Sequence, residues 1–210
     1  VGSVSTTGLL SDGIGALASY GGDITITSTG TISTEGAFAF GVYALADFGD
    51  ATVTVNDLTT LGDDAVGVLA VGNNATVNVN GALSTAGTYG AYSTGAVGVQ
   101  AIAQTGYAEV NVTGSVTTSG NYSGGVYAGG YYGATINNEG AITTSGAFAD
   151  AASVYSPYGA AVVVNDGAIT TSGDGSRGIF ARGEGGVVID SGGTVATSGE
   201  GAAGIAATSF

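Results

Sequence analysis

Histidine, cysteine and lysine are all missing from this 210-residue sequence, and Arg177 and Arg182 are its only basic side chains. Without cysteine there is neither a disulfide framework nor a thiolate metal site. Without histidine or lysine no base stands beside a serine, so the usual serine and cysteine hydrolase arrangements cannot be assembled and protease chemistry is excluded. The scarcity of basic residues leaves a net charge of −14, which repels phosphate backbones and anionic lipid headgroups alike. Nucleic acid is thereby ruled out as a partner. No run approaches the roughly 20 apolar residues of a membrane-spanning helix, and the first residues carry no basic-then-apolar signal peptide, so no direct membrane insertion of this segment is expected. Charged residues make up only 9 % of the chain, so solubility must come from Thr, Ser, Asn, Gly and exposed backbone, as on a secreted surface.

What the sequence has instead is a pattern. A hydrophobic residue, a short Thr/Ser run and a glycine, followed by a Gly-apolar-X-small segment, occur eight times, with closing glycines at Gly8, Gly36, Gly62, Gly87, Gly120, Gly146, Gly173 and Gly199. The steps between them are 28, 26, 25, 33, 26, 27 and 26 residues. A period in this range marks one structural unit that cannot bury its apolar side alone and stacks on its neighbours. The 41 glycines sit at fixed places in this pattern and are read as turns. The repeat runs end to end without a break in composition, so the chain is one domain over 1–210. It begins and ends in mid-repeat, which is expected of a fragment of something longer.

Each repeat divides into three strand-length segments. In the first, apolar residues alternate with Thr or Asn, as in Ile24/Ile26, Val53/Val55, Val77/Val79 and Val110/Val112. In the second, Ile32, Leu58, Leu83, Val116, Ile142, Ile169 and Val195 form one column, and Thr34, Thr60, Thr85, Thr118, Thr144, Thr171 and Thr197 lie two positions on. Period two puts both columns inside. A buried hydroxyl is costly unless bonded, so these threonines are expected to bond neighbouring backbone or one another as a structural ladder. In the third segment Val42, Val68, Val99, Val126, Val154, Ile179 and Ile205 point inward, and Ala44, Ala70, Ala101, Ala128, Ala181 and Ala207 fit a narrow corner. Antiparallel hairpins would not keep like residues in register at a fixed interval, whereas a coil of three strands does. The prediction is an all-β parallel β-helix, a solenoid of about eight coils of 25–33 residues, giving a rod roughly 40 Å long.

The one long step reflects an extra loop at 88–94, where Tyr89 and Tyr92 give a candidate binding surface. A second candidate is the outward position of the third segment, a stripe of Leu17, Tyr43, Leu69, Gln100, Tyr127, Tyr155, Phe180 and Ala206, of which Tyr43, Leu69, Tyr127, Tyr155 and Phe180 are the predicted contact residues. Stacking on neighbouring coils would account for the same column. Asp57, Asp63, Asp64, Asp150, Asp174 and Glu200 are the carboxylates nearest to a catalytic or cation site; most fall in successive turns, an acidic edge rather than a cleft. No cofactor is expected. Calcium at Asp63 and Asp64 is the weaker alternative, because the glycine-rich nonapeptide of calcium-binding β-rolls is missing. Arg177, in the turn that carries Asp174 and one coil from Glu200, is read as a surface ion pair. The outward pairs Thr25/Thr27 and Thr52/Thr54 are similar to ice-binding threonine arrays, but Asn and Glu interrupt them.

The run ITTSGDGSRGIFARGEGG, with the recurring AITTSG and GVYA, resembles the glycine-rich passenger repeats of bacterial autotransporters, and the resemblance covers the whole chain. It implies a right-handed β-helix exported to the Gram-negative outer membrane surface and anchored by a barrel outside this segment. It further implies a non-enzymatic adhesin, self-association module or stalk, as in biofilm formation. The expected partners are another copy, a host or abiotic surface, or glycans. A carbohydrate-active β-helix using surface carboxylates is the alternative.

Overall fold

The computed structural model describes residues 2–87 and 96–210, so the loop at 88–94 with Tyr89 and Tyr92 lies outside the described residues. Among the described residues every regular element is a strand, and the strands fall into three parallel sheets. The first sheet has seven strands, from Ile24–Ser28 to Val187–Ser191; the second has eight, from Val4–Thr6 to Thr194–Thr197; the third has eight, from Ile14–Ala18 to Ala203–Ser209. Each strand pairs with the strand one coil away, which is the parallel β-helix with three strands per coil expected from the repeat.

Register follows the sequence columns. Leu58, Leu83, Val116 and Ile142 stand in one line across the second sheet, and each is at most 1 % exposed. The interior is one continuous cluster of Val, Ile, Leu and Ala from all three sheets. One strand departs from the expected alignment. Val126 pairs with Ala152, and Ala128 with Val154, so Val154 fills an alanine position and Ala152 a valine position. Both columns point inward, so the exchange conserves volume within the coil.

The closing glycine of each repeat has a packing reason. A Cβ on Gly146 would lie 1.8 Å from the Gly120 carbonyl oxygen, and one on Gly120 would lie 1.9 Å from that of Gly87. The coils approach too closely at this corner for any side chain.

The inward threonines hold the same corner. Thr34, Thr60, Thr118 and Thr144 each donate from Oγ1 to the carbonyl five residues on, at 3.3, 3.1, 2.7 and 2.7 Å. Thr85 reaches the Ala96 carbonyl at 2.7 Å. The ladder is thus bonded to its own turns, not threonine to threonine. Thr171 is an exception: it is buried, and its Oγ1 has no partner. Thr197 is half-buried in the last strand of the sheet.

The first sheet carries two amide ladders that the sequence reading did not single out. Outside, Asn78 donates to Thr54 Oγ1, Asn111 to Asn78 Oδ1 and Asn137 to Asn111 Oδ1, at 3.2, 3.0 and 2.8 Å. Inside, Asn138 donates to Asn165 Oδ1 at 2.7 Å, and Asn165 to Ser191 Oγ at 3.1 Å. The inner ladder stops where the column changes to Val112, whose side chain offers no donor, and there Asn138 Oδ1 is left without a partner. The outer ladder is what interrupts the threonine array.

Candidate functional site

In each coil whose turn is described, the chain passes from the second sheet into the third through a β-turn, closed in most of them by a hydrogen bond to the ladder glycine carbonyl, as in Ala39 to Gly36 at 3.2 Å and Ser123 to Gly120 at 3.2 Å. The third residue of this turn is left-handed in every described coil. Leu10, Phe38, Asp64, Tyr122 and Phe148 have φ of 57, 57, 54, 58 and 55°, and Gly175 and Gly201 have 65 and 67°. Inter-coil bonds lock this geometry. The Phe38 N–H donates to the Asp63 carbonyl at 2.9 Å, Tyr122 to Ala147 at 2.8 Å and Phe148 to Asp174 at 2.8 Å. This is a position where turns ordinarily take glycine, because a Cβ there crowds the backbone. Here it carries exposed Leu10, Phe38, Tyr122 and Phe148, which form ridge segments beside the first two and the fifth and sixth coils, with buried Asp64 in the third; Tyr122 and Phe148 stack at 5.3 Å and 13°.

Beside the ridge runs the outward face of the third sheet. Tyr43, Leu69, Gln100, Tyr127 and Phe180 share one register column, as expected. Tyr155 and Leu17 do not belong to it. Ser153 and Gly15 occupy those places, while Tyr155 pairs with Gly129 and Arg182 and Leu17 with Leu45, two residues further along their strands. The misalignment at Tyr155 has the same origin as that at Val154: the segment reads equally well in two registers two residues apart, because either keeps the inside and outside faces.

Ridge and stripe enclose a groove. A cavity of about 260 Å³ is lined by Asp12, Leu17, Phe40, Tyr43, Leu45 and Leu69. The next, about 340 Å³, shares Phe40 and Leu69 with it and is walled by Leu10, Phe38 and Asp64. A third, about 410 Å³, shares Gln100 with the second and is walled by Tyr122 and Phe148 over Tyr127 and Ser153. All three lie along the outward face of the third sheet, and the turn of the fourth coil lies outside the described residues. On the floor of the first cavity the Phe40 and Tyr43 rings meet edge to face at 5.9 Å. Burial pushes the Tyr127 phenol above its usual pKa, and neighbouring Tyr155 adds to the shift.

Asp63, Asp64, Asp174 and Glu200 lie in the turn after the ladder glycine, where an acidic edge is expected. Asp12 Oδ1 accepts the Phe40 N–H at 2.7 Å, and Asp174 Oδ1 accepts that of Glu200 at 2.8 Å, so these carboxylates tie successive turns together. Arg177 is paired with Asp150 on the preceding coil, not with Asp174 or Glu200. Its Nε lies 3.0 Å from both carboxylate oxygens, and its guanidinium lies 3.6 Å above the Phe180 ring. Phe180, a predicted contact residue, is therefore covered. Among the described residues no three carboxylates gather into a cation site; Asp63 is exposed and Asp64 buried. Asp57 lies at another corner, where it accepts the Ala82 N–H at 3.0 Å.

Protein-family models, curated proteins and solved structures yield no match to this chain.

A second aromatic group occupies the corner between the third and first sheets. Tyr131 packs on Tyr132 at 4.9 Å and on Tyr158 at 4.6 Å, with all three exposed, and its hydrogen bond to Tyr158 raises its pKa. The groove itself was missed, because its wall depends on a backbone conformation that Leu, Phe and Tyr do not advertise in a sequence.

Proposed function

We propose that this chain is the extended part of a non-enzymatic extracellular β-helix, of the autotransporter passenger type, that acts as an adhesin. The observation carrying this reading is the row of three aromatic-lined cavities along one side of the rod. Coils in unbroken register make a spacer, and spacing alone gives no reason to keep apolar, aromatic cavities open to solvent on one face. The arrangement of carboxylates supports a binding role over a hydrolytic one. Glycoside cleavage needs two carboxylates flanking one bond, whereas each of the three cavities has a single one, Asp12, Asp64 or Asp150, and Asp150 is engaged by Arg177.

The test is display of the chain on a bacterial surface and measurement of cell adhesion and clumping with and without Tyr43→Ser and Tyr127→Ser. Loss of adhesion with β-sheet signal intact is the expected result. Unchanged adhesion would remove the third-sheet face from the function, and no adhesion by the parent chain would leave a stalk.

A further inference from the structure

We infer that Tyr131 and Tyr158 form an oxidative cross-linking site, at which a one-electron oxidant joins the two rings into a dityrosine that staples the fifth coil to the sixth. The corner between the third and first sheets holds the pair in place. Tyr158 donates its backbone N–H to the Tyr131 carbonyl at 3.2 Å, so the two residues are fixed neighbours on adjacent coils. Pro157, the only proline of the chain, fixes φ just before Tyr158, and just after it the Gly159 N–H donates to Ser156 Oγ at 3.0 Å. The rings then meet at 4.6 Å between centroids, tilted by 45°, which matches the spacing of adjacent strands. Their phenol ends meet as well, since a hydrogen bond to Tyr158 is the main cause that raises the Tyr131 pKa. Phenol oxygens in contact bring the ring carbons beside them, the ortho Cε atoms, next to each other.

Composition directs oxidation to this pair. Cysteine, methionine, tryptophan and histidine, the other readily oxidised side chains, are all missing from the sequence, which leaves tyrosine as the sink. Among the described residues, tyrosine rings meet one another only in the group Tyr131, Tyr132 and Tyr158, which are 38, 54 and 59 % exposed and so open to an oxidant. Tyr132 is set apart by geometry. Its ring stands at 90° to that of Tyr131, so an edge meets a face and the two sets of ortho carbons are not brought together. The oxidant is hydrogen peroxide acting through a haem peroxidase. Each phenol gives up one electron and the Oη proton, leaving a radical shared with Cε. The two radicals pair into one Cε–Cε bond, and the hydrogen on each coupled carbon moves to its phenol oxygen, which restores both aromatic rings. The two electrons and two protons released reduce one peroxide to two waters, so the protein loses two hydrogens in all. The new bond spans 27 residues, from 131 to 158, in a chain without disulfides, and constrains the unfolded state as a disulfide would.

The experiment treats the purified chain with hydrogen peroxide and a haem peroxidase, with N-acetyltyrosine as the positive control for coupling. Dityrosine fluorescence should appear on a chain that remains monomeric in a denaturing gel. Cleavage after glutamate separates 110–139, which holds Tyr131, from 140–184, which holds Tyr158. The two peptides should be recovered joined and lighter by two hydrogens. Tyr158→Phe, which keeps the ring and removes the phenol, should abolish the joined peptide, while Tyr132→Phe and Tyr155→Phe should leave its yield unchanged. The cross-linked chain should melt about 5–10 °C above the untreated one, and the oxidised Tyr158→Phe variant should show no such rise. Circular dichroism on each variant confirms the fold. Absence of the joined peptide while the control couples, its persistence in Tyr158→Phe, its loss in Tyr132→Phe, coupling only between chains, or an unchanged melting temperature would each overturn the inference. The adhesive reading is tested through Tyr43 and Tyr127 on another face, so the two stand or fall separately.

Discussion

The same turn is built in two ways along this rod. In the first three coils and in the fifth and sixth the left-handed position carries Leu10, Phe38, Asp64, Tyr122 and Phe148, and in the last two it carries Gly175 and Gly201. Glycine adopts this conformation at no steric cost, whereas a residue with a Cβ loses about 1–2 kcal/mol there. Asp64 is the mild case, since Asx residues tolerate the region. The aromatic residues are not mild, and they occur where a groove needs a wall. The threonines differ in the same way. Thr6, Thr34, Thr60, Thr118 and Thr144, in coils whose left-handed residue carries a side chain, all bond the turn carbonyl, at 2.5–3.3 Å. Thr171, before the first glycine turn, bonds nothing. The lesson is that an inward hydroxyl and an outward side chain belong to one device: the threonine fixes the turn that presents the ridge residue.

The comparison breaks most severely at the corner shared by all coils. Gly146→Ala would set a methyl 1.8 Å from the Gly120 carbonyl oxygen, backbone against backbone, and should cost about 3 kcal/mol. Urea unfolding measures it, and a loss under about 1 kcal/mol would mean that the coils can part at this corner. Gly175→Ala comes next, at about 1–3 kcal/mol. Its Cβ faces both the positive φ and the Phe148 ring edge at 2.6 Å, so combining it with Phe148→Gly should recover part of the loss. Full cost in the double variant would assign the whole effect to the backbone. The smallest effect sharpens the contrast. Thr144→Val removes a buried hydrogen bond and should destabilise by about 1 kcal/mol, while Thr171→Val removes an unpaired hydroxyl and should be neutral or stabilising. Equal losses at the two sites would separate the threonines from the turn geometry.

Much of the architecture was legible because it is periodic. Alternation within each segment set the inside and outside faces, and recurrence of Ile, Val and Thr at one interval set parallel stacking, since identical residues meet only when equivalent strands pair. The stripe Tyr43, Leu69, Tyr127 and Phe180 came from the same logic. Where periodicity is ambiguous the reading slipped: Tyr155 and Val154 were placed two residues out of register, which preserves the faces and leaves no hydrophobic signal to object. Arg177 was recognised as an ion-paired residue but assigned to the wrong carboxylates. Proximity in sequence favours Asp174, whereas stacking brings Asp150 alongside.

The sequence by itself determined the coil, its three strands and its inward columns, because burial with period two and stacking with a fixed step are properties that residue types announce. It also determined that this segment holds no disulfide and no histidine or thiolate group. Only the tertiary structure decided the rest. That the ladder glycines yield to a neighbouring carbonyl, that Phe and Tyr occupy a left-handed position, and that cavities open beside them all depend on how adjacent coils sit against each other. Those distances are set by hydrogen bonds between residues more than twenty positions apart, and no local pattern records them.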